Sequence, residues 1–179
     1  MARAARDMTK QPAKTVRRSR VRVARTKVGL GVFAERWFAP DEIVGEIEGA
    51  IIDDFSYSSR YCMDLGDSRC LEPGPPFRYM NHSCAPNCQF LWYDINEGDS
   101  RPPRRRVFVL ANYRISHGDE LTIDYGWPPH MAIPCRCGAA NCRGWIVAQC
   151  DLAEVLAAQS AATADCIAVQ TPTSAAIGA

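Results

Sequence analysis

The chain has 179 residues, of which 47% are hydrophobic, and its 21 Lys+Arg and 20 Asp+Glu leave a formal net charge of +1. This length suits one ordinary domain, and the apolar content is enough to bury a core, which argues against wholesale disorder and against two full domains. The near-zero charge hides a split. Residues 1–27 hold ten basic side chains and one acidic side chain, whereas the remainder holds 11 basic and 19 acidic side chains.

Neither a membrane span nor an export signal is visible in the sequence. No stretch approaches the roughly 18 consecutive apolar residues that a membrane helix needs, and the basic N-terminus lacks the apolar segment of a secretory signal. Nine cysteines in such a chain favour thiols or metal ligands over a disulfide framework, and an odd number cannot all pair. We expect a soluble, intracellular protein that does not bind membranes.

Short strands separated by turns follow a basic arm. Residues 1–19 lack apolar periodicity and are predicted to be flexible. From residue 20 valines alternate with arginines, as in a half-exposed strand. Two glycines then precede a compact apolar run at 32–34, and residues 42–52 predict a pair of strands interrupted by glycines. Residues 66–77 are rich in proline and are predicted to form a loop.

The second half of the chain predicts two more strands, at 107–111 and 121–125. In the latter, Leu121, Ile123 and Tyr125 share one face because strand side chains alternate with period two. Many short strands, tight glycines and little helical pattern predict a mostly β domain.

An alanine-rich tail ends the chain. From Asp151 onward it holds ten alanines and three charged residues. Apolar residues at helical spacing behind a potential Asp151 cap predict one short helix, and we expect disorder beyond about Ser160.

Three closely spaced cysteines, Cys135, Cys137 and Cys142, indicate a metal site. Zinc in a structural site takes four tetrahedral ligands, so a fourth must come from elsewhere. The candidates are Cys62, Cys70, Cys84, Cys88, Cys150 and Cys166. Cys84 stands out because its surroundings are rich in polar and turn-forming residues. Alternatively the thiols are buried or idle small hydrophobes, although a tight triplet argues against this.

Four separated motifs occur in an order that is typical of one family. They are GLGVFA at 29–34, RYMNHSCAPN at 78–87, GDELTIDY at 118–125 and the cysteine module at 135–142. These motifs resemble GxGxFA, RFxNHSCxPN, GEELTxDY and CxCxxxxC of the SET-domain lysine methyltransferases that carry a C-terminal post-SET zinc module. The second motif is the most specific, whereas GxG alone is a weak signal.

The resemblance implies a β-clip SET fold with short helices, a knot-like core formed by the NHSC and ELTIDY segments, and a C-terminal zinc-bound segment. We divide the chain into a basic flexible arm (1–19), a SET domain (20–127), a post-SET zinc module (128–150) and an Ala-rich tail (151–179). The resemblance also implies that S-adenosylmethionine binds on one face and that a substrate lysine enters from the other.

Two tyrosines are implied as catalytic. Tyr125 matches the family's catalytic tyrosine, whose hydroxyl orients the amine, and Tyr61 matches the second active-site tyrosine and a cofactor contact. Without the resemblance each would be interpreted as a half-buried core aromatic. The aromatic faces of Tyr61, Phe90 and Tyr125 could stabilise cationic groups. Phe90 and Ile123 fall where family members limit the number of methyl groups, and their lack of hydroxyls favours di- or trimethylation.

The remaining implied roles concern the cofactor and the metal. The cofactor contacts are Gly29, Leu30, Gly31, Asn81 and His82. The ligands of one structural zinc ion are Cys84, Cys135, Cys137 and Cys142. A lone GxG is otherwise common in plain turns, and a lone histidine is more often structural than catalytic.

The charge distribution suggests partners. Residues 41–72 contain nine acids and two bases, a surface that would steer a basic peptide, although a merely solvated acidic face is the alternative. Residues 1–27 could contact nucleic acid, act as a nuclear address or solubilise the chain, and we rank nucleic-acid contact first.

These observations lead to one hypothesis and one alternative. We expect a protein-lysine N-methyltransferase that acts on a histone or another basic chromatin-type protein. It would lie in the nucleus or on chromatin if the organism is eukaryotic, and otherwise in the cytoplasm. The alternative is a catalytically silent, zinc-stabilised module that binds chromatin or nucleic acid.

Overall fold

A mostly β architecture is seen in the computed structural model, which describes residues 20–54, 56–65, 69–95 and 104–168. The predicted arm (1–19) lies outside these residues. The strands are β1 (Val21–Thr26), β2 (Gly29–Ala34), β3 (Ile43–Ile47), β4 (Gly49–Ile52), β5 (Met63–Asp64), β6 (Cys70–Pro73), β7 (Asn81–His82), β8 (Cys88–Ile95), β9 (Arg104–Ala111), β10 (Glu120–Ile123), β11 (Ile133–Pro134) and β12 (Trp145–Ile146). The helices are 3-10 turns at Phe77–Tyr79, Pro129–Met131 and Gln149–Asp151, and α1 (Leu152–Ala168).

The largest sheet has the order β1-β2-β10-β7 and brings three of the sequence motifs together. β1 and β2 form an antiparallel hairpin, and β10 pairs antiparallel with β2 through Leu121 and Val32. On its other side β10 runs parallel to β7, with Ile123 opposite His82. The NHSC and ELTIDY segments are therefore neighbours, although about forty residues of chain separate them.

Three smaller sheets complete the fold, with the orders β3-β9-β8, β4-β6-β5 and β11-β12. β3 is bulged between Ile43 and Gly45. A side-chain carbon at Gly45 would lie 2.7 Å from the ring of Phe77, so the strand passes this ring only because the position is glycine. The short pair β11-β12 frames the cysteine module from both ends.

The hydrophobic core follows the alternation of the strands. Leu121 and Val32 are fully buried on facing strands, as is Val109 on β9. Phe38 and Ile115, which form an isolated antiparallel bridge, are also fully buried. Burying side chains of this size stabilises the fold by roughly 1.5–3 kcal/mol each. The core therefore fixes β10, the strand that leads into Tyr125.

Several predicted elements differ from those observed. β6 lies inside the segment 66–77 that was predicted as loop, and β8 was not predicted. β10 ends at Ile123, two residues earlier than expected. α1 continues past Ser160, where we expected disorder, because alanine favours helix. No helix in the described part of the chain is long and apolar enough to span a membrane.

Candidate active site and cysteine cluster

Tyr125 is held by two hydrogen bonds just beyond the end of β10. Its hydroxyl donates to the carbonyl oxygen of Met80 (2.9 Å), and its backbone N–H donates to Nδ1 of His82 (3.2 Å). The ring of His82 lies 5.4 Å from its own, and the ring of Trp127 lies 5.2 Å away. Burial, with a smaller contribution from nearby Tyr61, raises the pKa of Tyr125. Its hydroxyl is therefore a fixed, protonated donor at neutral pH.

A pocket of about 710 Å³ opens beside Tyr125. Seven aromatic residues line it, and Met80 and Ile123 add apolar surface; the aromatic residues are Tyr57, Tyr61, Phe77, Phe90, Trp92, Tyr125 and Trp127. Where an amine lies against this aromatic and apolar part of the lining, desolvation favours the neutral form that can act as a nucleophile. The predicted cofactor residues Gly29, Leu30, Gly31, Asn81 and His82 are not among the lining residues of this pocket.

Tyr61 also lines the pocket, but it is anchored less firmly. It is 45% exposed, and its backbone N–H donates to Oγ of Ser59 (3.1 Å). The guanidinium of Arg78 lies 4.3 Å from the centre of its ring and is itself 3.6 Å from the carboxylate of Glu72. One face of Tyr61 is therefore occupied by an internal cation, which limits its use for a substrate cation.

The segment that contains Gly29, Leu30 and Gly31 meets Asn81 directly. The side-chain amide of Asn81 donates to the carbonyl oxygen of Leu30 (3.0 Å) and to Oε1 of Glu120 (2.7 Å). A side-chain carbon at Gly31 would lie 2.5 Å from that Glu120 oxygen. Because both protons of its amide are used, Asn81 can meet a ligand only through Oδ1, as an acceptor.

The four predicted metal ligands converge. The sulfurs of Cys84, Cys135, Cys137 and Cys142 all lie within 4.8 Å of one another. Cys84 Sγ is 3.8 Å from Cys135 Sγ and 3.9 Å from Cys142 Sγ. Sulfurs placed about 2.3 Å from a tetrahedral zinc ion would be about 3.8 Å apart, so this cluster can hold one zinc ion.

Backbone donors surround the four sulfurs. The N–H of Cys84 donates to Cys137 Sγ (3.5 Å), that of Arg143 to Cys84 Sγ (3.4 Å) and that of Gly144 to Cys142 Sγ (3.4 Å). Burial opposes ionisation of Cys137, but the backbone N–H groups of Cys84 and Ala139, together with its thiol neighbours, lower its pKa to about 6. Burial raises the pKa of Cys84. Donors aimed at sulfur are the environment that metal-bound thiolates require.

A polar network joins the cluster to Tyr125. His82 Nε2 lies 3.4 Å from Cys84 Sγ. Burial lowers the pKa of His82 against the opposing pull of Asp124. Arg143 places both terminal nitrogens on the carboxylate of Asp124, at 2.6 and 2.7 Å. The sequence did not indicate a role for Arg143, because nothing in the motif separates it from Arg136 in the same module.

The other cysteines with described side chains lie outside the cluster. Cys62 and Cys70 line the pocket, and Cys150 is exposed. Cys88 is 1% exposed in the core, and burial raises its pKa to about 12, so it remains a thiol. The side chain of Cys166 is outside the described set.

Comparison with known proteins gives one matching family. The SET domain model matches residues 29–126. "Histone-lysine N-methyltransferase 2D" of Homo sapiens is 31% identical over 147 residues, which are 72% of this chain and 2% of that protein. "Histone-lysine N-methyltransferase, H3 lysine-4 specific" of Schizosaccharomyces pombe is 35% identical over 133 residues, 65% of this chain and 14% of that protein. This chain therefore spans only a small part of these relatives.

Solved structures with the same fold include two complexes of KRYPTONITE. One, with mCHH DNA, an H3(1-15) peptide and SAH, has a TM-score of 0.59 at 27% identity and covers 70% of this chain and 29% of that chain. The other, with mCHG DNA and SAH, has a TM-score of 0.60 at 26% identity, covering 72% and 29% respectively. The expected mostly β SET fold is confirmed.

Proposed function

The chain belongs to the SET domain family, and we propose that it is a protein-lysine N-methyltransferase that uses S-adenosylmethionine. The observation that carries this proposal is the placement of Tyr125, a half-buried side chain whose hydroxyl is held by Met80 at the wall of an aromatic pocket. Relatives named as histone-lysine methyltransferases support the same reaction.

The pocket residues would act by positioning and desolvation. A lysine amine with a pKa of about 10.4 is almost entirely protonated at pH 7, and only the neutral form attacks. The aromatic and apolar walls favour that form, and Tyr125 presents a fixed hydroxyl that can orient the amine. We assign Tyr61 as the second active-site tyrosine. Phe90 and Ile123 both line the pocket without hydroxyls, which supports di- or trimethylation.

For the cofactor we propose Gly29, Leu30, Gly31, Tyr61, Asn81 and His82. S-adenosylmethionine supplies a methyl group carried on a positively charged sulfur. Asn81 Oδ1 is a suitable acceptor for a ligand ammonium group, because Leu30 and Glu120 already engage the amide protons. The SAH in the KRYPTONITE structures is the molecule that remains after methyl transfer from S-adenosylmethionine.

For the metal we propose Cys84, Cys135, Cys137 and Cys142 as ligands of one structural zinc ion. Four sulfur donors and no open position are typical of a structural site rather than a catalytic one. The ion would fix the proposed post-SET module (128–150) against the proposed SET domain (20–127). Residues 151–179 remain assigned as a tail.

The proposed substrate is a lysine-containing basic protein, with a histone tail as the first candidate. Beyond residue 27 the chain has 11 basic and 19 acidic side chains, which favours basic partners. The lining of the pocket contains both acidic and basic side chains, including Asp54, Asp151 and Arg60. Chromatin would then be its site of action in a eukaryote. Nucleic-acid contact through residues 1–27 stays a proposal, since residues 1–19 are not described.

Labelled S-adenosylmethionine incubated with the protein and a panel of basic proteins tests the proposal. We expect label on lysines of at least one histone, and cofactor binding by calorimetry. Absence of both label and cofactor binding would refute the proposed function and favour the silent binding module. Cofactor binding without label would instead direct the search to other basic substrates.

A further inference from the structure

Arg143 connects the cysteine cluster to the chain at Tyr125. Its backbone N–H donates to Cys84 Sγ (3.4 Å), and its guanidinium forms a two-pronged ion pair with Asp124. The Arg143 side chain is only 8% exposed. Asp124 directly precedes Tyr125 and also accepts the N–H of Gly126 (3.2 Å). One arginine therefore touches a metal-ligand sulfur and fixes the carboxylate beside the tyrosine.

A second connection reaches Tyr125 from the same sulfur. His82 Nε2 lies 3.4 Å from Cys84 Sγ, while its Nδ1 accepts the backbone N–H of Tyr125 (3.2 Å). The His82 side chain is 2% exposed. Two paths thus run from Cys84 to the Asp124–Tyr125 dipeptide, one through Arg143 and one through His82, and they meet where His82 Nδ1 lies 3.5 Å from the carboxylate of Asp124. A shift of Cys84 would therefore act on residues that contact the backbone of Tyr125 or its neighbour Asp124.

Stability alone does not account for this arginine. A buried ion pair often contributes little net stability, because desolvating both charges offsets their attraction. Within the described residues, Nε of Arg143 is buried without a hydrogen-bond partner, which adds a further cost. What the pair does supply is geometry, since a planar guanidinium on a carboxylate fixes both distance and orientation.

We propose that Arg143 is a positioning residue that transmits metal-dependent ordering of the cysteine cluster to Tyr125 through Asp124. The proposal rests on the proposed function for its catalytic consequence, but the coupling itself is a property of the fold. Zinc would hold Cys84 close to the other three thiols. The Arg143–Asp124 pair would then fix the backbone on either side of Asp124, including Tyr125. Lysine at position 143 keeps the charge but loses the two-pronged contact.

The test compares the full-length wild type with Arg143→Lys and Asp124→Asn. Arg136→Lys is the matched control, because Arg136 is an exposed arginine of the same module. Hydrogen exchange of the Tyr125 amide is measured in zinc-loaded and chelator-treated protein, with the buried Val109 on β9 as the reference for global unfolding. Zinc content is measured on every sample.

In the wild type and in Arg136→Lys, removing zinc should accelerate exchange of the Tyr125 amide about tenfold relative to Val109. Arg143→Lys and Asp124→Asn should retain zinc and exchange faster than the wild type even when loaded. Removing zinc should then accelerate exchange less than in the wild type, because only the connection through His82 remains. Their kcat should fall about 10- to 100-fold with KM for the methyl donor changed less than about threefold.

Wild-type exchange behaviour in both variants would overturn the proposal. So would loss of zinc from both at saturating metal, because the pair would then hold the metal rather than transmit its effect. The exchange measurement requires no substrate. Failure to detect methyl transfer would therefore count against the proposed function alone, while the exchange data still decide the coupling.

Discussion

The two tyrosines of the pocket differ in how the fold holds them. Tyr125 follows a buried central strand and is fixed through its hydroxyl and its backbone by Met80 and His82. Tyr61 precedes β5, the two-residue edge strand of a small sheet, and is 45% exposed. Its firmest partners are the hydroxyl of Ser59 and the guanidinium of Arg78.

Under the proposed function, this contrast would give the two tyrosines different roles in the pocket. A hydroxyl that must orient a reacting amine needs fixed geometry before the substrate arrives, and Tyr125 has it. An exposed aromatic side chain in a segment before a short edge strand can adjust to a bound peptide, and Tyr61 has that freedom. The rigid wall is further tied to the cysteine cluster through His82 and Arg143, whereas no such tie to Tyr61 occurs among the described residues.

The largest expected effect comes from a change in the cysteine cluster, on the rigid side of the pocket. Cys84→Ser removes the sulfur on which both connections to Tyr125 converge, so zinc binding and methyl transfer should both be lost. Cys150→Ser, at an exposed cysteine outside the cluster, should retain about one zinc per chain and full activity. Metal analysis and a methylation assay check both variants. Full zinc content in Cys84→Ser would contradict the ligand assignment.

The next effect separates the two tyrosines directly. Tyr125→Phe should lower kcat by about 100-fold, because the positioned hydroxyl is lost while the ring remains. Tyr61→Phe should lower it by about tenfold or less, since this side chain is exposed and adjustable. Steady-state kinetics of both variants on the same peptide measure the ratio of the two losses in kcat. Equal losses of kcat in the two variants would contradict the distinction between a rigid Tyr125 and an adjustable Tyr61.

A smaller effect is expected at the glycine segment. Gly31→Ala would push a methyl group to 2.5 Å from Glu120 Oε1 and 3.1 Å from Asn81 Nδ2, so affinity for S-adenosylmethionine should weaken about tenfold. Gly74→Ala, whose nearest contact would be a carbonyl oxygen at 3.3 Å, is the control. Calorimetric titration measures both. Unchanged affinity in Gly31→Ala would remove this segment from the cofactor site.

The smallest effect concerns pH. Burial raises the pKa of Tyr125 above the unfolded value of about 10, so its neutral hydroxyl contributes stability that is fully present below that pH. This contribution is lost as pH rises through the raised pKa. Thermal midpoints between about pH 8 and 11 should therefore fall more steeply in the wild type than in Tyr125→Phe. Parallel curves would mean that Tyr125 is not buried as described.

Local sequence patterns predicted those strands whose side chains alternate between the core and the surface. Alternating valines indicated β1, and the period-two pattern of residues 121–125 predicted that Leu121 and Ile123 share one face, which is buried in the structure. β8 escaped prediction although its aromatic run, Phe90 to Tyr93, is typical of a strand. The sequence of this segment therefore does contain a signal for a strand.

Long-range contacts explain what the sequence could not reveal. The convergence of Cys84 with the cysteine module was implied by the resemblance rather than by spacing, since chain separation alone left six candidates. The Arg143–Asp124 pair and the carbonyl of Met80 depend on how β7, β10 and the module pack together. No property of a single segment encodes such contacts.

The central claim is tested most directly by mass spectrometry of a lysine-containing histone tail peptide after incubation with zinc-loaded protein and S-adenosylmethionine. We predict whole-methyl mass increments on one lysine, reaching the dimethyl or trimethyl state, and their near absence with Tyr125→Phe. An unmodified peptide at high enzyme concentration, from protein that binds the cofactor and carries zinc, would contradict the assignment of this substrate class. Equal methylation by Tyr125→Phe would contradict the mechanism.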